Sequence, residues 1–398
     1  MRCPARFIAA AALAAVSLVP SSVPSRAGGV QPSLPPAFAS FLAEEARATP
    51  SEREALLAGS PLVKLLDADP TKEVSVLGAV WVNAPRGMYI EQMKHIEQFE
   101  RGSAFRVTKR ISEPPNADDF AALTITDQDF EDLKDCKLGE CVLKLDEDGL
   151  QTLRAEVDWR KPTAKADVIA LFRRLALQYV NGYREGGNAR LGVHRDKERP
   201  TFVANEFRSM IDRLPRLAAE LPDITRYLLE YPNATLANST DFLYWQETQF
   251  GLRPTVRISH LVIQERPDQA VVASKMLYAS HYFWTALELR VLLPDPGRGP
   301  GFWLVTVNRS RSDGLSGFTG RVIRGRVRSA VEDGMRAALT ATKKRLESLD
   351  QSSANPPSSG SSRQAAHDAR WSRDAQRTRD VMSSRLFGTA PASSKPTH

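Results

Sequence analysis

The chain has 398 residues and a formal net charge of +7, and this charge comes from its two ends. Residues 1–27 carry three arginines and no acidic residue. Residues 351–398 carry seven basic and three acidic residues, so residues 28–350 have no net charge. Because nucleic-acid binding depends on a concentrated basic surface, the neutral body argues against a nucleic-acid partner.

The first residues form a pattern typical of a secretory signal peptide. Two arginines precede an apolar run over residues 7–19, and Ser25 and Ala27 are small residues before a cleavage site that follows Ala27. The run is short for a membrane span, although a retained anchor is the alternative. We therefore expect residues 1–27 to be removed and the mature protein to be periplasmic or extracellular.

Residues 28–71 are predicted to be a loose segment that contains two short helices. The next elements are a strand in KEVSVLGAVWVNAP, which Pro85 closes, a helix in RGMYIEQMKHIEQFE and a second strand in FRVTKRIS. Residues 163–231 then read as a helical segment, in which Gly186 and Gly187 are predicted to end the first helix.

Two cysteines remain after the predicted cleavage, Cys136 and Cys141. In an oxidising compartment, a close pair is most simply a disulfide, and Gly139 permits the tight turn that the bond needs. A metal site would need further Cys or His ligands nearby, and none is present in the sequence around the pair. We therefore predict a structural disulfide.

After residue 231 the apolar period changes to two, which predicts strands. DFLYWQET, PTVRISHLVIQE, SKMLYASHYFWTALELRVLL and GFWLVTVNRS are predicted to be four successive strands, with turns in ERPDQA and PDPGRGP. Short turns between neighbouring strands predict an antiparallel meander.

The third of these strands, residues 274–293, has large side chains on both faces. Strict alternation places Leu277, Ala279 and His281 on one face, and Met276, Tyr278, Tyr282 and Trp284 on the other. Two explanations remain open. Either helices cover both faces of the sheet, or one face lines a pocket.

The last predicted element is a helix of about thirty residues that begins at TGRVIRG. Residues 350–398, rich in Ser, Arg and Ala, are predicted to be disordered. The helix begins with a basic cluster that either forms a solvated face or contacts anionic lipid headgroups. This cluster consists of Arg321, Arg324, Arg326 and Arg328.

The order of elements over residues 72–349 predicts an α+β fold with a helical insert at 163–231. It resembles the helix-grip domains of the START and Bet v 1-like superfamily, in which an antiparallel sheet wraps a long C-terminal helix. The resemblance depends on element order and on no signature motif. It implies a cavity between the sheet and the C-terminal helix, and a lipid or other hydrophobic ligand.

Six residues in the predicted strands are candidates for lining such a pocket, because they are aromatic side chains with a polar group or histidines on apolar faces. The hairpin register places His260 opposite about Lys275, so that His281 lies six residues further along, about 20 Å away. A shared metal is therefore excluded, and each histidine either orients a ligand or is a hydrogen-bonded core residue. The candidates are Trp245, His260, Tyr278, His281, Tyr282 and Trp284.

The sequence contains no GxSxG, HExxH, Walker or dinucleotide-binding motif, and we predict no cofactor. The leading hypothesis is an exported, non-catalytic protein that binds a lipid or similar hydrophobic molecule. The alternative is a structural or interaction protein of the cell envelope with a filled core.

Overall fold

A computed structural model describes residues 33–101, 104–250, 253–313, 315 and 317–354. The described residues from Leu34 onward form one compact unit. The predicted signal peptide lies outside the described residues, as do residues 355–398 of the predicted disordered tail. Residues 350–354, the start of that predicted tail, instead form the end of the last helix.

The described part of the chain contains eleven α-helices and ten strands. The helices are α1 Pro36–Glu44, α2 Pro50–Leu57, α3 Arg86–Lys94, α4 Ile96–Phe99, α5 Asp127–Lys134, α6 Glu147–Glu156, α7 Ala164–Gly186, α8 Val203–Ile211, α9 Pro215–Glu220, α10 Pro222–Glu230 and α11 Gly317–Ala354. The strands are β1 Leu62–Leu65, β2 Glu73–Val82, β3 Phe105–Arg110, β4 Val193–His194, β5 Thr201–Phe202, β6 Ser239–Phe250, β7 Arg253–Glu265, β8 Ala270–Ala279, β9 Phe283–Pro294 and β10 Phe302–Ser312.

Eight strands form one antiparallel sheet in the order β1-β2-β10-β9-β8-β7-β6-β3. The predicted α+β class and the long C-terminal helix are therefore confirmed. The predicted meander is present as β6 to β10, and the turns predicted in ERPDQA and PDPGRGP join β7 to β8 and β9 to β10. The small hairpin β4–β5 is a separate sheet.

Helices cover both faces of the large sheet. On one side, called here the α11 face, α3, α4 and α11 pack on alternate residues of the strands, with Met335 and Leu339 among the contacts of α11. On the opposite side, called the α7 face, three groups of helices pack: α1 with α2, α8 to α10, and α7. Two-sided burial of the strands follows directly from this arrangement.

Helix α11 approaches β2 closely at Gly78. A Cβ atom at this position would lie 2.7 Å from side-chain atoms of both Met335 and Leu339, closer than real Cβ contacts allow. Glycine here therefore lets the helix pack directly on the strand. The close approach of α11 to β2 thus depends on a glycine that is distant from the helix in the sequence.

Helix α7 ends where the sequence predicted, at Gly186 and Gly187. Gly187 has φ of 54°, and a Cβ atom on it would lie 1.6 Å from the carbonyl oxygen of Tyr231. Both the backbone conformation and the close contact require glycine. This residue therefore fixes the end of α7 against the end of α10.

The predicted single strand over residues 274–293 is wrong, because the segment forms β8 and β9. The chain reverses at residues 280–282, where Tyr282 adopts φ of 60° and the Phe283 amide donates to the His281 carbonyl at 2.6 Å. The turn contains no glycine or proline. The usual sequence signal for a reversal is therefore missing.

The predicted alternation in this segment is also wrong, because β8 contains a bulge. Ser259 pairs with Met276 and Ile258 pairs with Tyr278, so Leu277 is an extra residue on β8. A bulge changes which face the following residues occupy. Tyr278 consequently lies on the α7 face, whereas Met276 packs with Ala279 and Ala286 on the other side.

Cys136 and Cys141 lie at disulfide distance, with their Cα atoms 4.5 Å apart. The short loop between them contacts the β4–β5 hairpin, since the Gly139 amide donates to the Arg195 carbonyl at 2.7 Å and the Cys141 amide donates to the Asp196 carbonyl at 3.0 Å. The disulfide therefore supports the loop that holds this hairpin in place.

The double substitution C136A/C141A should lower the free energy of unfolding by about 2 kcal/mol, because the bond closes a short loop and limits the unfolded chain little. Urea unfolding of the variant and of the parent protein, each without reductant, measures the difference. A loss well above about 4 kcal/mol would show that the bond does more than constrain this loop.

Candidate ligand-binding cleft

A cleft of about 710 Å³, partly open to solvent, lies between α7 and the α7 face of the sheet. Its walls also include residues 123–129, which lead into α5, and residues 143–149, which lead into α6. The β4–β5 hairpin contributes His194. This volume lies within the range of pockets that hold small organic ligands.

Apolar and polar groups share the interior surface of the cleft, and the apolar groups are slightly in excess. Val256 and Ile258 of β7 form part of the floor. Their position follows from the alternation of the strand, which directs every second side chain to the α7 face. The other apolar lining residues are Leu123, Ile125, Leu143, Leu145, Phe172, Leu175 and Ala176.

Two tyrosines line the cleft with their hydroxyl groups already engaged. Tyr179 donates to the Leu277 carbonyl at 2.7 Å, and Tyr278 donates to the Lys144 carbonyl at 3.0 Å. Their ring centroids are 6.0 Å apart. Burial raises the pKa of both hydroxyl groups above the ordinary value, so both remain neutral. The tyrosines therefore offer ring surface to a ligand.

Lys144 is the one lysine of the cleft wall that is almost completely buried, with 1% of its side chain exposed. Its ammonium group contacts Oδ2 of Asp196 at 3.1 Å and also the carboxylate of Asp313. Asp313 additionally accepts from the indole N–H of Trp284. Two carboxylates thus hold the ammonium group of Lys144 within the protein, and the three side chains together have a formal charge of −1.

His194 lines the same part of the cleft and is 3% exposed. Its Nδ1 atom is buried and has no hydrogen-bond partner among the described residues. Its ring lies edge-on to Tyr278, with 6.2 Å between the centroids. Burial, together with the positive charge of Lys144, lowers the pKa of His194 to about 3, so the imidazole is neutral at physiological pH.

Two ion pairs lie among the charged residues at the rim of the cleft. Arg106 contacts Glu247 at 2.8 Å, and Lys165 contacts Asp127 at 2.5 Å. The aspartate and both cations are at least one-third exposed, whereas Glu247 is largely buried. Asp146 caps α6 by accepting from the Gly149 amide at 2.8 Å.

Of the six candidate residues from the sequence, Tyr278 lines the cleft. Trp245 lies on the same face of the sheet but is fully buried. Its indole N–H donates to the Asp119 carbonyl at 2.8 Å, and its ring stacks on Phe120 with centroids 6.3 Å apart. The Trp245 side chain therefore contributes to the packing beside the cleft.

His260 is a hydrogen-bonded core histidine in the structure. It pairs with Lys275 across the β7–β8 ladder, the predicted register. Its Nε2 atom lies 2.7 Å from Oδ2 of Asp241 and its Nδ1 atom lies 3.0 Å from the Tyr183 hydroxyl. Burial lowers the pKa of His260, against the opposing effect of Asp241. The neutral ring can therefore donate to Asp241 and accept from Tyr183.

The remaining candidates lie near one another at the turn between β8 and β9 and at its flanks. His281 is buried, with Nε2 3.3 Å from Oδ1 of Asp129, although the geometry does not make a hydrogen bond. The Tyr282 hydroxyl accepts from the Arg253 amide at 3.1 Å. Trp284 contacts Asp313 as described above.

The α11 face also carries polar groups, in the middle of the sheet. Glu288 accepts from Arg290 at 2.8 Å and lies 3.6 Å from Arg257, which donates to Gln246 at 2.7 Å. These contacts pair the charges that interrupt the apolar pattern of β9.

The basic cluster at the start of α11 is described in part. Arg324 donates to the Leu315 carbonyl at 2.6 Å, whereas Arg326 and Arg328 are exposed. The side chain of Arg321 lies outside the described residues.

Comparison of the chain with protein-family models, with curated proteins and with solved structures finds no match. Within the described ranges, no helix is long and apolar enough to cross a membrane. Those same ranges contain no group of three or more His, Cys, Asp or Glu side chains placed to hold a metal ion.

Sequence reasoning missed three residues of the cleft: Tyr179, Lys144 and His194. Tyr179 has the helical spacing of an apolar stripe in α7, and this pattern does not distinguish a cleft from a core. Lys144 stands between two leucines in LKLDED, a weak signal of a buried lysine. His194 in LGVHRD has no comparable signal, because its surroundings come from distant segments.

Proposed function

We propose that the protein is a non-catalytic binding protein that holds a lipid or similar amphipathic molecule in the cleft between α7 and the sheet. The observation that carries this proposal is the volume of about 710 Å³ over an apolar floor, with polar groups at defined positions. An apolar cavity with few polar groups is typical of small-molecule sites. The helix-grip resemblance favours the same ligand class, although the cleft lies on the face opposite α11.

The chemistry of the wall favours binding over catalysis. The hydroxyl groups of Tyr179 and Tyr278 donate to backbone carbonyls, and Lys144 is held by two carboxylates. A nucleophile or general base needs a group that is free to react with a substrate. These side chains are instead positioned to shape the cleft.

Export is part of the proposal, since the first residues resemble a signal peptide. The disulfide between Cys136 and Cys141 supports an oxidising compartment. A carrier of amphipathic molecules in such a compartment would collect its ligand outside the cytoplasm.

The substitution G182F tests the location of the site. Gly182 lies on α7 and lines the cleft, and a Cβ atom at this position would have no other atom within 4 Å. A phenylalanine side chain can therefore project into the cleft without a collision at its Cβ, and it forms helix better than glycine does. We expect affinity for the neutral fluorophore N-phenyl-1-naphthylamine to fall at least about tenfold.

Gly325 of α11 provides a matched control. It is also helical, a Cβ atom on it would have no neighbour within 4 Å, and it does not line the cleft. The variant G325F should bind the fluorophore as the parent protein does. Equal loss of binding in both variants, or no binding by the parent protein, would contradict the proposed site.

A further inference from the structure

The charged side chains in the depth of the cleft offer no unpaired cation, because the single ammonium group of Lys144 faces two carboxylates. Asp196 and Asp313 hold the ammonium group of Lys144. His194 is neutral, because burial and the nearby charge of Lys144 keep its ring unprotonated. A buried carboxylate or phosphate of a ligand would find no unpaired cation here, and burial of an unpaired charge is costly.

His194 is nevertheless unsatisfied. It is 97% buried, and none of the described residues makes a hydrogen bond with its side chain; the buried Nδ1 atom is without a partner. Buried polar atoms in folded proteins nearly always have partners. A neutral imidazole has one donor and one acceptor, so both kinds of bond are missing.

Hydrogen bonds of the neighbours explain why the protein itself does not satisfy His194. The Tyr278 ring lies beside the imidazole, but its hydroxyl donates to the Lys144 carbonyl. The hydroxyl of Tyr179 donates to the Leu277 carbonyl. The groups nearest to the histidine are thus committed elsewhere, and the open side of the wall faces the cleft.

We infer that the ligand of the cleft is a neutral amphipathic molecule whose buried end carries a hydroxyl group that hydrogen-bonds His194. A hydroxyl both donates and accepts, as the neutral imidazole does, and its burial requires no counter-charge. Long-chain alcohols and other hydroxyl-bearing neutral lipids belong to this class. The inference depends on the proposed function and specifies the ligand of the same site.

Three probes of equal chain length test the inference: 1-decanol, decanoate and 1-chlorodecane. Each is titrated against the parent protein with bound N-phenyl-1-naphthylamine, below its solubility limit. We expect 1-decanol to displace the fluorophore at concentrations about tenfold lower than decanoate, because decanoate would bury a carboxylate without a paired cation. Stronger displacement by decanoate would overturn the inference.

Variants of His194 connect this preference to the residue. In H194F, the advantage of 1-decanol over 1-chlorodecane should fall about fivefold to tenfold, whereas H194Q, which keeps a donor and an acceptor, should retain most of it. His95 is an exposed histidine at the end of α3, so H95F is the matched control and should leave the preference unchanged.

The melting temperature separates a ligand-binding histidine from a structural one. Without ligand, H194F should melt at the same temperature as the parent protein or a few degrees higher, because it removes a buried polar atom without a partner. A marked drop would assign His194 to the structure and overturn the inference.

The inference and the proposed function fail in distinguishable ways. If G182F loses fluorophore binding but the parent protein shows no preference for 1-decanol, the proposed binding function stands and the neutral hydroxyl-bearing ligand is rejected. Absence of fluorophore binding in the parent protein would reject both.

Discussion

Substitution of Glu73 by glutamine should lower the free energy of unfolding by about 3–5 kcal/mol, the usual cost of removing one member of a buried ion pair. The Glu73 side chain is fully buried at the start of β2, between the guanidinium groups of Arg309 and Arg311. Those two side chains are 3% and 1% exposed. Arg311 also donates to Glu206 at 2.7 Å, which leaves Arg309 with the larger loss.

Urea unfolding of E73Q measures this effect, and Glu52 provides the control. Glu52 contacts Lys64 at 2.9 Å with both side chains at least one-quarter exposed. Exposed pairs contribute little, so E52Q should cost less than about 1 kcal/mol. Similar losses of unfolding free energy in E73Q and E52Q would show that burial does not increase the contribution of Glu73 to stability.

The second large effect concerns Lys275, whose stability contribution should change with pH. The Lys275 side chain is completely buried between α7 and α10, where its ammonium group contacts the side chain of Asn188 and lies 3.1 Å from the Leu228 carbonyl. No carboxylate is bonded to it among the described residues. Burial lowers its pKa from 10.5 to about 7.

Because this pKa is lowered on folding, the unfolded chain binds the proton more tightly than the folded protein does. Between pH 7 and pH 10.5 the unfolded state therefore carries more protons, and stability rises with pH. Below pH 7 both states are protonated, and the folded state bears the full cost of the buried charge. That cost is at most about 5 kcal/mol, from 1.36 kcal/mol for each pKa unit.

The variant K275M has no proton to gain or lose at this position. The difference in unfolding free energy, parent protein minus K275M, should therefore increase by about 3–4 kcal/mol as the pH rises from 7 to 10, because one proton contributes at most about 1.36 kcal/mol for each pH unit. Urea unfolding of both proteins at the two pH values measures it, and contributions from other groups cancel in the difference. A difference that does not change with pH would show that Lys275 titrates normally.

The sheet was predictable because its pattern is local. Turn residues in ERPDQA and PDPGRGP separate runs of alternating apolar residues, and the hairpin register then follows from the turn. His260 lies opposite Lys275 as that register requires. Helix α7 likewise ends at the glycine pair that the sequence marks, because the close contact with Tyr231 tolerates no side chain.

The features that the sequence did not predict depend on conformations or on partners that a local pattern does not encode. Tyr282 turns the chain with a positive φ, which residues other than glycine rarely adopt. Strand β1 lies in a segment that was expected to hold only short helices, and it is defined by its pairing with β2. Lys144 depends on Asp196 and Asp313, which are far from it in the chain.

The position of the cleft could not be predicted from the sequence, for a related reason. Element order indicated a long C-terminal helix on a sheet, and that part is present. The cleft, however, lies between the sheet, α7 and the residues that lead into α5 and α6, so its position depends on how these segments pack. The distance between α7 and the sheet depends on side chains such as Phe172 and Leu175, which face strands that are distant in the sequence. The order of the elements does not determine it.

The bulge at Leu277 determines which face of the sheet receives the ring of Tyr278. If Leu277 were an ordinary paired residue of β8, regular alternation would turn the Tyr278 ring toward α11, and the wall beside His194 would lose its aromatic partner. A local irregularity within a central strand thus offers evolution a way to remodel a receptor site while the sheet around it stays intact.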